Sequence, residues 1–174
     1  MEPFRLRTAR LELVAATPAL ERAARAGASA LAEALSCRVP DDWPPPLSED
    51  TQGFWEEALE ADPELVGWAT WYWLLAGDAA PPELVGYGGF TGRPAEGACE
   101  VGYSVVESHH RRGIATEAVR ALVDWAFAHD EVALVRAHTM PELAPSIGVL
   151  DKLAFELVGP GAEEGTIRYE LPRR

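Results

Sequence analysis

Four residues with basic or titratable side chains stand in a row at His109-His110-Arg111-Arg112, followed by Gly113-Ile114-Ala115-Thr116-Glu117-Ala118. A strand-like run from Glu100 to Val106 leads in, and an apolar pattern of helical period continues through Phe127. The glycine therefore falls where a helix begins. A helix start leaves its first four backbone N–H groups without internal partners, and the macrodipole makes that end positive. Basic side chains and a glycine allowing close backbone approach turn such an end into an anion site. The ligand expected at His110, Arg111, Arg112, Gly113, Ile114, Ala115 and Thr116 is a phosphate or a pair of them.

That stretch runs against the rest of the chain. Of 174 residues, 15 are Lys or Arg and 28 are Asp or Glu, a net charge of -13. A field of that sign repels nucleic acid and anionic membrane and suits a cationic substrate. The bland alternative for Arg111 and Arg112 is that they balance Glu107 and Glu117. No apolar run is long enough to span a bilayer, and Met1 to Arg5 lacks a signal-peptide core, so the cytoplasm is the expected compartment. Cys37 and Cys99 are too few for a disulfide framework or a zinc knuckle.

The elements that must position the turn follow in order. Residues 4–14 read as one entry strand. Thr17-Pro18 starts a helix, and the Ala-rich run to Leu35 has a weak point at Gly27. Residues 39–47, with four prolines, make a stiff loop carrying Asp41, Asp42 and Trp43. Ser48 opens a second helix expected to bury Phe54, Trp55 and Leu59. Residues 66–75, rich in Trp, form a hairpin with residues 84–91 across a turn at 76–82. Residues 99–106 give the next strand, 114–127 a helix, 132–137 a buried strand. Strand, helix, strand in this order implies a right-handed crossover between parallel strands. A short helix from Ser146 to Leu153 and two closing strands end the chain. The expected architecture is a single α/β domain over residues 1–174, with a mixed, mostly antiparallel sheet, one parallel pair and helices on both faces.

With those elements placed, the chain resembles the GNAT superfamily of N-acetyltransferases, in particular the ribosomal-protein N-terminal acetyltransferase branch. Three ordered segments carry the likeness: Leu6 to Leu13, Glu100 through Ala118, and Pro141-Glu142 through Ser146 to Phe155. The family usually has Gln or Arg where this chain has His110, Asn at Leu143, often Tyr at Leu150, and Gly at Ala154. The resemblance implies acetyl-CoA as co-substrate, its pyrophosphate on the amides around Gly113. It also implies a splayed strand 100–106 whose backbone at Ser104, Val105 and Val106 pairs with the pantetheine arm. A Ser at the position of Ser146 often stands near the sulfur in this branch.

Acetyl transfer to an amine needs a neutral amine, a stabilised oxyanion and a leaving thiolate. An α-amine has a pKa of about 8 and Lys about 10.4, so the substrate arrives largely protonated. Glu100, entering the strand beside the thioester, is the candidate base; its bland reading is a surface carboxylate. Ser146 either hydrogen-bonds the sulfur or simply caps its helix. Asp41, Asp42 and Trp43, with the Trp-rich strand, offer an acidic aromatic mouth for an ammonium group. Those tryptophans serve equally as core or as a homodimer face. Cys99 has no His or Asp fixed beside it for an acetyl-cysteine route. His109 and His110 have no third ligand spaced for a metal, and His129 and His138 read as packing or surface residues. The alternative function is a non-catalytic CoA-binding or regulatory protein on the same fold.

Overall fold

The computed structural model describes residues 4–46, 48, 51–77 and 81–174; Met1 to Pro3, Leu47, Glu49, Asp50 and the turn residues Asp78 to Ala80 lie outside it. The expected single entry strand is two. β1 (Arg5–Arg7) and β2 (Leu11–Ala15) pair antiparallel, Arg5 opposite Val14. The fold-back is local: Thr8 N–H donates to the Leu11 carbonyl and Leu11 N–H to Thr8 Oγ1, both at 2.9 Å. Thr17 caps α1 (Pro18–Ala26) by accepting Leu20 N–H at 3.3 Å. Gly27, at φ 122°, divides the Ala-rich run and starts α2 (Ala28–Leu35).

α3 (Glu56–Ala61) begins eight residues after Ser48, a correction with a clear cause. Gly53 has φ 75°, and an added Cβ there would stand 2.9 Å from the Glu21 carbonyl and 2.7 Å from Arg25 Cβ. The chain must pass α1 closely in a left-handed conformation, which no helix tolerates. Phe54, expected inside, is 70% exposed, whereas Leu59 is buried.

Among the described residues, eight strands form one sheet, with β1 and β2 at one edge, followed by β3 (Thr70–Leu75), β4 (Glu83–Phe90), β5 (Ala98–Val105), β6 (Leu134–Thr139), β8 (Ile167–Pro172) and β7 (Glu156–Pro160). α4 (Ile114–Phe127) is the crossover between β5 and β6, the one parallel pair, and α5 (Ala144–Lys152) follows β6. Helices cover both faces. One cluster joins Trp71, Trp73 and Val105 to Ile114, Leu122 and Leu150 of α4 and α5. The other joins Tyr72 and Leu84 to Leu20, Leu31 and Leu59 of α1 to α3. The tryptophans settle as core: Trp68, Trp71 and Trp73 are buried, and Trp68 and Trp71 meet Trp125 with ring centroids 4.6 and 5.5 Å apart. Trp73 lies across β4, where a Cβ on Gly88 would come within 2.6 Å of its ring. No helix among the described residues is long and apolar enough to cross a membrane.

The register matters most at β5. Its pairing with β4 runs to Val105, opposite Gly86, but its pairing with β6 stops at Glu100, opposite Arg136. From Val101 onward the two parallel strands part, and the sheet is open between them.

Under the other face lies a buried carboxyl. Glu21 accepts from Tyr72 Oη at 3.0 Å and from Trp55 N–H at 3.1 Å. Burial pushes its pKa up, with the two hydrogen bonds opposing. A raised carboxyl contributes its stability fully below the unfolded-state value and loses it as pH rises through the folded one. Tyr72→Phe leaves one oxygen of that carboxyl unpartnered. It is expected to cost about 2 kcal/mol, and more at pH 8 than at pH 5, because the lost phenol donor serves the ionised carboxylate better than the neutral acid. Urea denaturation at the two pH values checks this.

Candidate active site

A 3-10 turn at Glu107–His109 links β5 to the start of α4. Arg111 and Gly113 both take left-handed conformations, φ 58° and 74°. Gly113 is the N-cap of α4 and no side chain caps the helix. Glu117 N–H is the first helix amide to find a carbonyl, that of Gly113 at 3.1 Å. Among the described residues, nothing accepts from the amides of Arg111, Arg112, Gly113, Ile114, Ala115 or Thr116. The amide of His110 is different, since it donates to the Glu107 carbonyl at 3.1 Å. Its ring instead donates from Nε2 to the Val105 carbonyl at 2.7 Å.

The bland reading of the two arginines fails on their partners. Glu117 is held by Arg10, through Nε at 2.7 Å and the backbone N–H at 2.8 Å, and by Thr8 Oγ1 at 2.6 Å. Burial pushes the Glu117 carboxyl up, but these hydrogen bonds and the Arg10 charge outweigh it and hold the carboxyl below its usual range. Arg10 Nη1 also donates to the Arg112 carbonyl at 2.8 Å, tying the β1–β2 turn to the helix start. Arg111 and Arg112 are exposed and form no salt bridge among the described residues. Free amides and the uncommitted guanidinium group of Arg111 therefore meet in one cleft, which can hold a diphosphate, and exposed Arg112 adds its charge beside them.

Alternation along β5 sorts the remaining candidates. Val106 has both main-chain groups engaged, its N–H with the Val85 carbonyl and its carbonyl with His109 N–H, each at 3.0 Å. It is not free to pair with a ligand. Neighbouring amides in an antiparallel strand point to opposite sides, so Val105 N–H faces the gap toward β6. Gly86 and Gly88 lie under Trp73 on the α4 face, and their partners Val105 and Tyr103 share that face. Tyr87 and Ser104, paired with each other, lie on the opposite face with Gly102 and Glu100.

The open sheet is thus a passage with a different chemistry at each end. A cleft of about 1950 Å³ runs through it, lined by Glu100, Ser104, Val105, the turn from His110 to Thr116 apart from Arg112, and Ser146. On the α4 face, Tyr103 Oη donates to the Ser146 carbonyl at 3.1 Å and stands 3.3 Å from Ser146 Oγ. Burial pushes the Tyr103 phenol up to about 12, so it keeps its proton throughout the physiological range. Ser146 lies inside the first turn of α5, not at its cap, which is Leu143. On the opposite face, His138 Nδ1 donates to Glu100 Oε1 at 2.9 Å. His138 Nε2 is buried without a partner among the described residues.

Other expectations land elsewhere. Asp41 and Asp42 line a separate hollow of about 850 Å³ with Cys37, Arg38 and Ser108. Asp42 accepts from Ser108 N–H at 2.8 Å and Ser108 Oγ at 3.1 Å. Trp43 stands edge-on to Tyr87, ring centroids 6.0 Å apart, and so backs a ring of the cleft without lining it. Leu150 is fully buried, whereas Leu143 lines the cleft. Burial pushes the Cys99 thiol up to about 12, far from a ready nucleophile. No three of His, Cys, Asp and Glu come together as a metal-binding group among the described residues.

Two residues escaped the sequence reading, His138 and Tyr103. Only strand parity and the β5–β6 register could have found them. Glu100 lies opposite Arg136, and His138 is two residues further on the same face.

Comparison with known proteins agrees with this fold. The acetyltransferase (GNAT) domain pattern matches residues 10–156. The uncharacterized N-acetyltransferase YjdG of Bacillus subtilis (strain 168) is 28% identical over 164 residues, covering 94% of this chain and 93% of that protein. Among solved structures, the ribosomal-protein-S5-alanine acetyltransferase from Vibrio fischeri superposes with a TM-score of 0.66 at 19% identity, over 97% of this chain and 96% of that one. RimJ of Mycobacterium smegmatis, in complex with CoA-disulfide, superposes with a TM-score of 0.61 at 20% identity, over 99% of this chain and 90% of that one. At such identities the structural likeness is one of fold, but the domain pattern spans most of the chain: this protein belongs to the GNAT family of acetyltransferases.

Proposed function

We propose that the protein transfers an acetyl group from acetyl-CoA to a primary amine by direct attack, in the cytoplasm. The observation that carries this reading is the row of unpartnered amides from Arg111 to Thr116 beside a sheet that opens at Glu100. Those amides, with Arg111 and Arg112, hold the diphosphate, and the pantetheine arm enters the gap along Val105. Of Ser104, Val105 and Val106, only Val105 turns a free N–H to the gap, and that donor serves the acetyl oxygen. A preorganised donor there is worth about 3 kcal/mol.

The amine enters from the Glu100 face. Glu100 takes its proton, directly or through a water, with the carboxylate oriented by His138. The nitrogen bonds to the carbonyl carbon, the carbon–sulfur bond breaks, and the proton the nitrogen sheds as it becomes an amide is relayed to the thiolate through the Ser146 hydroxyl beside Tyr103. Asp42 fixes the turn ahead of α4 through Ser108, Trp43 supports Tyr87, and Asp41 adds to the acidic field. Tyr103→Phe removes the donor on Ser146 and is expected to lower kcat about fivefold, a loss of ~1 kcal/mol. Because the phenol keeps its proton up to about 12, the factor stays constant between pH 6 and 9.

Leu143, an apolar side chain in the cleft, favours the second reading of a CoA-binding protein without turnover. One experiment separates them. Isothermal titration with acetyl-CoA at high micromolar concentration is expected to show binding, and its absence overturns both. Thiol release in the presence of an amine panel then selects the enzyme.

A further inference from the structure

The two mouths of the cleft differ in charge and in surface. The cations lining it, Arg111 and Lys152, belong to the α4 turn and to α5, on the face proposed for the donor. The opposite face gathers Phe54, Trp55 and Tyr87 with the carboxylates of Glu57 and Glu100, and Glu163 follows from the β7–β8 turn. Neither Glu57 nor Glu163 has an ion-pair partner among the described residues, and both are exposed.

Among the described residues Phe54 is the most exposed of the large apolar ones, at 70%, and its ring meets Trp55 edge-on at 5.3 Å. Half-buried Tyr87 continues that wall on the strand. Two of the wall's hydroxyls are already engaged. Tyr87 Oη lies 2.7 Å from Thr51 Oγ1, and Ser104 Oγ donates to the Pro46 carbonyl at 3.2 Å. What remains facing the cleft is mostly ring surface and negative charge, with the hydroxyls of Thr70 and Thr91 beside it. A peptide main chain would bring more amide groups than those two hydroxyls can pair, at a real cost in affinity. A carboxylate on the acceptor would meet repulsion.

We propose that the acceptor is a small primary amine with an aromatic or bulky apolar group and no acid, and that Phe54, Trp55 and Tyr87 select it. The proposal rests on the acetyltransferase reading and names the substrate class of that site. The ammonium form is drawn in by Glu57 and Glu163, the apolar body lies on the rings, and the nitrogen reaches Glu100. Phe54 is a specificity residue because it touches the acceptor's body and not the reacting atoms.

The test measures kcat/KM for 2-phenylethylamine, ethanolamine, phenylalanine and a peptide beginning with Phe, after titration of acetyl-CoA. Phenylethylamine is expected to exceed each of the others by at least about tenfold, the scale of a filled apolar pocket. Phe54→Ala, at an exposed position, is expected to reduce that preference about tenfold through KM for the aromatic amine. Equal rates across the panel, turnover of another member but not of phenylethylamine, or a preference for phenylalanine or the peptide overturns the proposal alone. Binding of acetyl-CoA with no turnover of any amine overturns the enzymatic reading with it. Failure to bind acetyl-CoA overturns the enzymatic reading as well.

Discussion

Gly113→Val is expected to weaken acetyl-CoA binding about a hundredfold, a loss of ~3 kcal/mol. The residue sits at φ 74°, a region that a β-branched side chain enters only at a cost on the order of 1–3 kcal/mol. The chain relieves that strain by rotating the peptides around residue 113, which turns the amides of Gly113 and Ile114 away from their shared target. An added Cβ would also stand 3.3 Å from the Arg10 guanidinium, a flexible end that can move aside, so steric conflict is the smaller part. Isothermal titration of the variant, with circular dichroism showing the helices intact, checks it. A dissociation constant equal to that of the natural protein would mean that the α4 start does not hold the diphosphate. Gly113→Ala separates strain from bulk and is expected to fall between the two.

Glu100→Gln is expected to lower kcat/KM by roughly 10²–10⁴, the range for loss of a positioned base. The amide keeps the shape and, through its oxygen, can still accept from His138, but it cannot take a proton. The deficit is expected to be deepest at low pH, where the acceptor arrives as ammonium. It shrinks as pH approaches the amine's own value of about 8 to 10, because solvent then supplies the neutral form. Acetyl-CoA affinity serves as the control for binding. A pH–rate profile identical to that of the natural protein would remove Glu100 from the base role and leave deprotonation to water.

What could be read along the chain was whatever depends on a few neighbouring residues. The free amides before Ile114 were legible because a helix start exposes them wherever it occurs, and Gly113 marks the place. The parallel crossover was legible from the order of strand, helix and strand. The division at Gly27 was visible as a weak point, and the glycine's backbone conformation makes it a full break. Ser146 was misplaced only by two residues, since no side-chain cap marks the start of α5.

Other features depended on which distant segments compete for the same space. Trp68, Trp71 and Trp73 suited a mouth, a dimer face or a core, and composition cannot choose among these. Burial against Trp125 and the glycines of β4 chose the core. Phe54 belonged to an apolar pattern, yet the turn at Gly53 points it outward, where it becomes a wall of the cleft. Asp41 and Asp42 carry the right charge for an ammonium site, but Asp42 is spent on Ser108 and both line the neighbouring hollow.

By itself the order of residues determined the helix start with its free amides, the sign of the surrounding field and the family. Only the tertiary structure decided that Glu100 meets His138 and that Tyr103 meets Ser146. Local backbone geometry settles the first group within one turn of chain. The second waits on strand register, where a shift of a single residue would turn each side chain to the opposite face of the sheet.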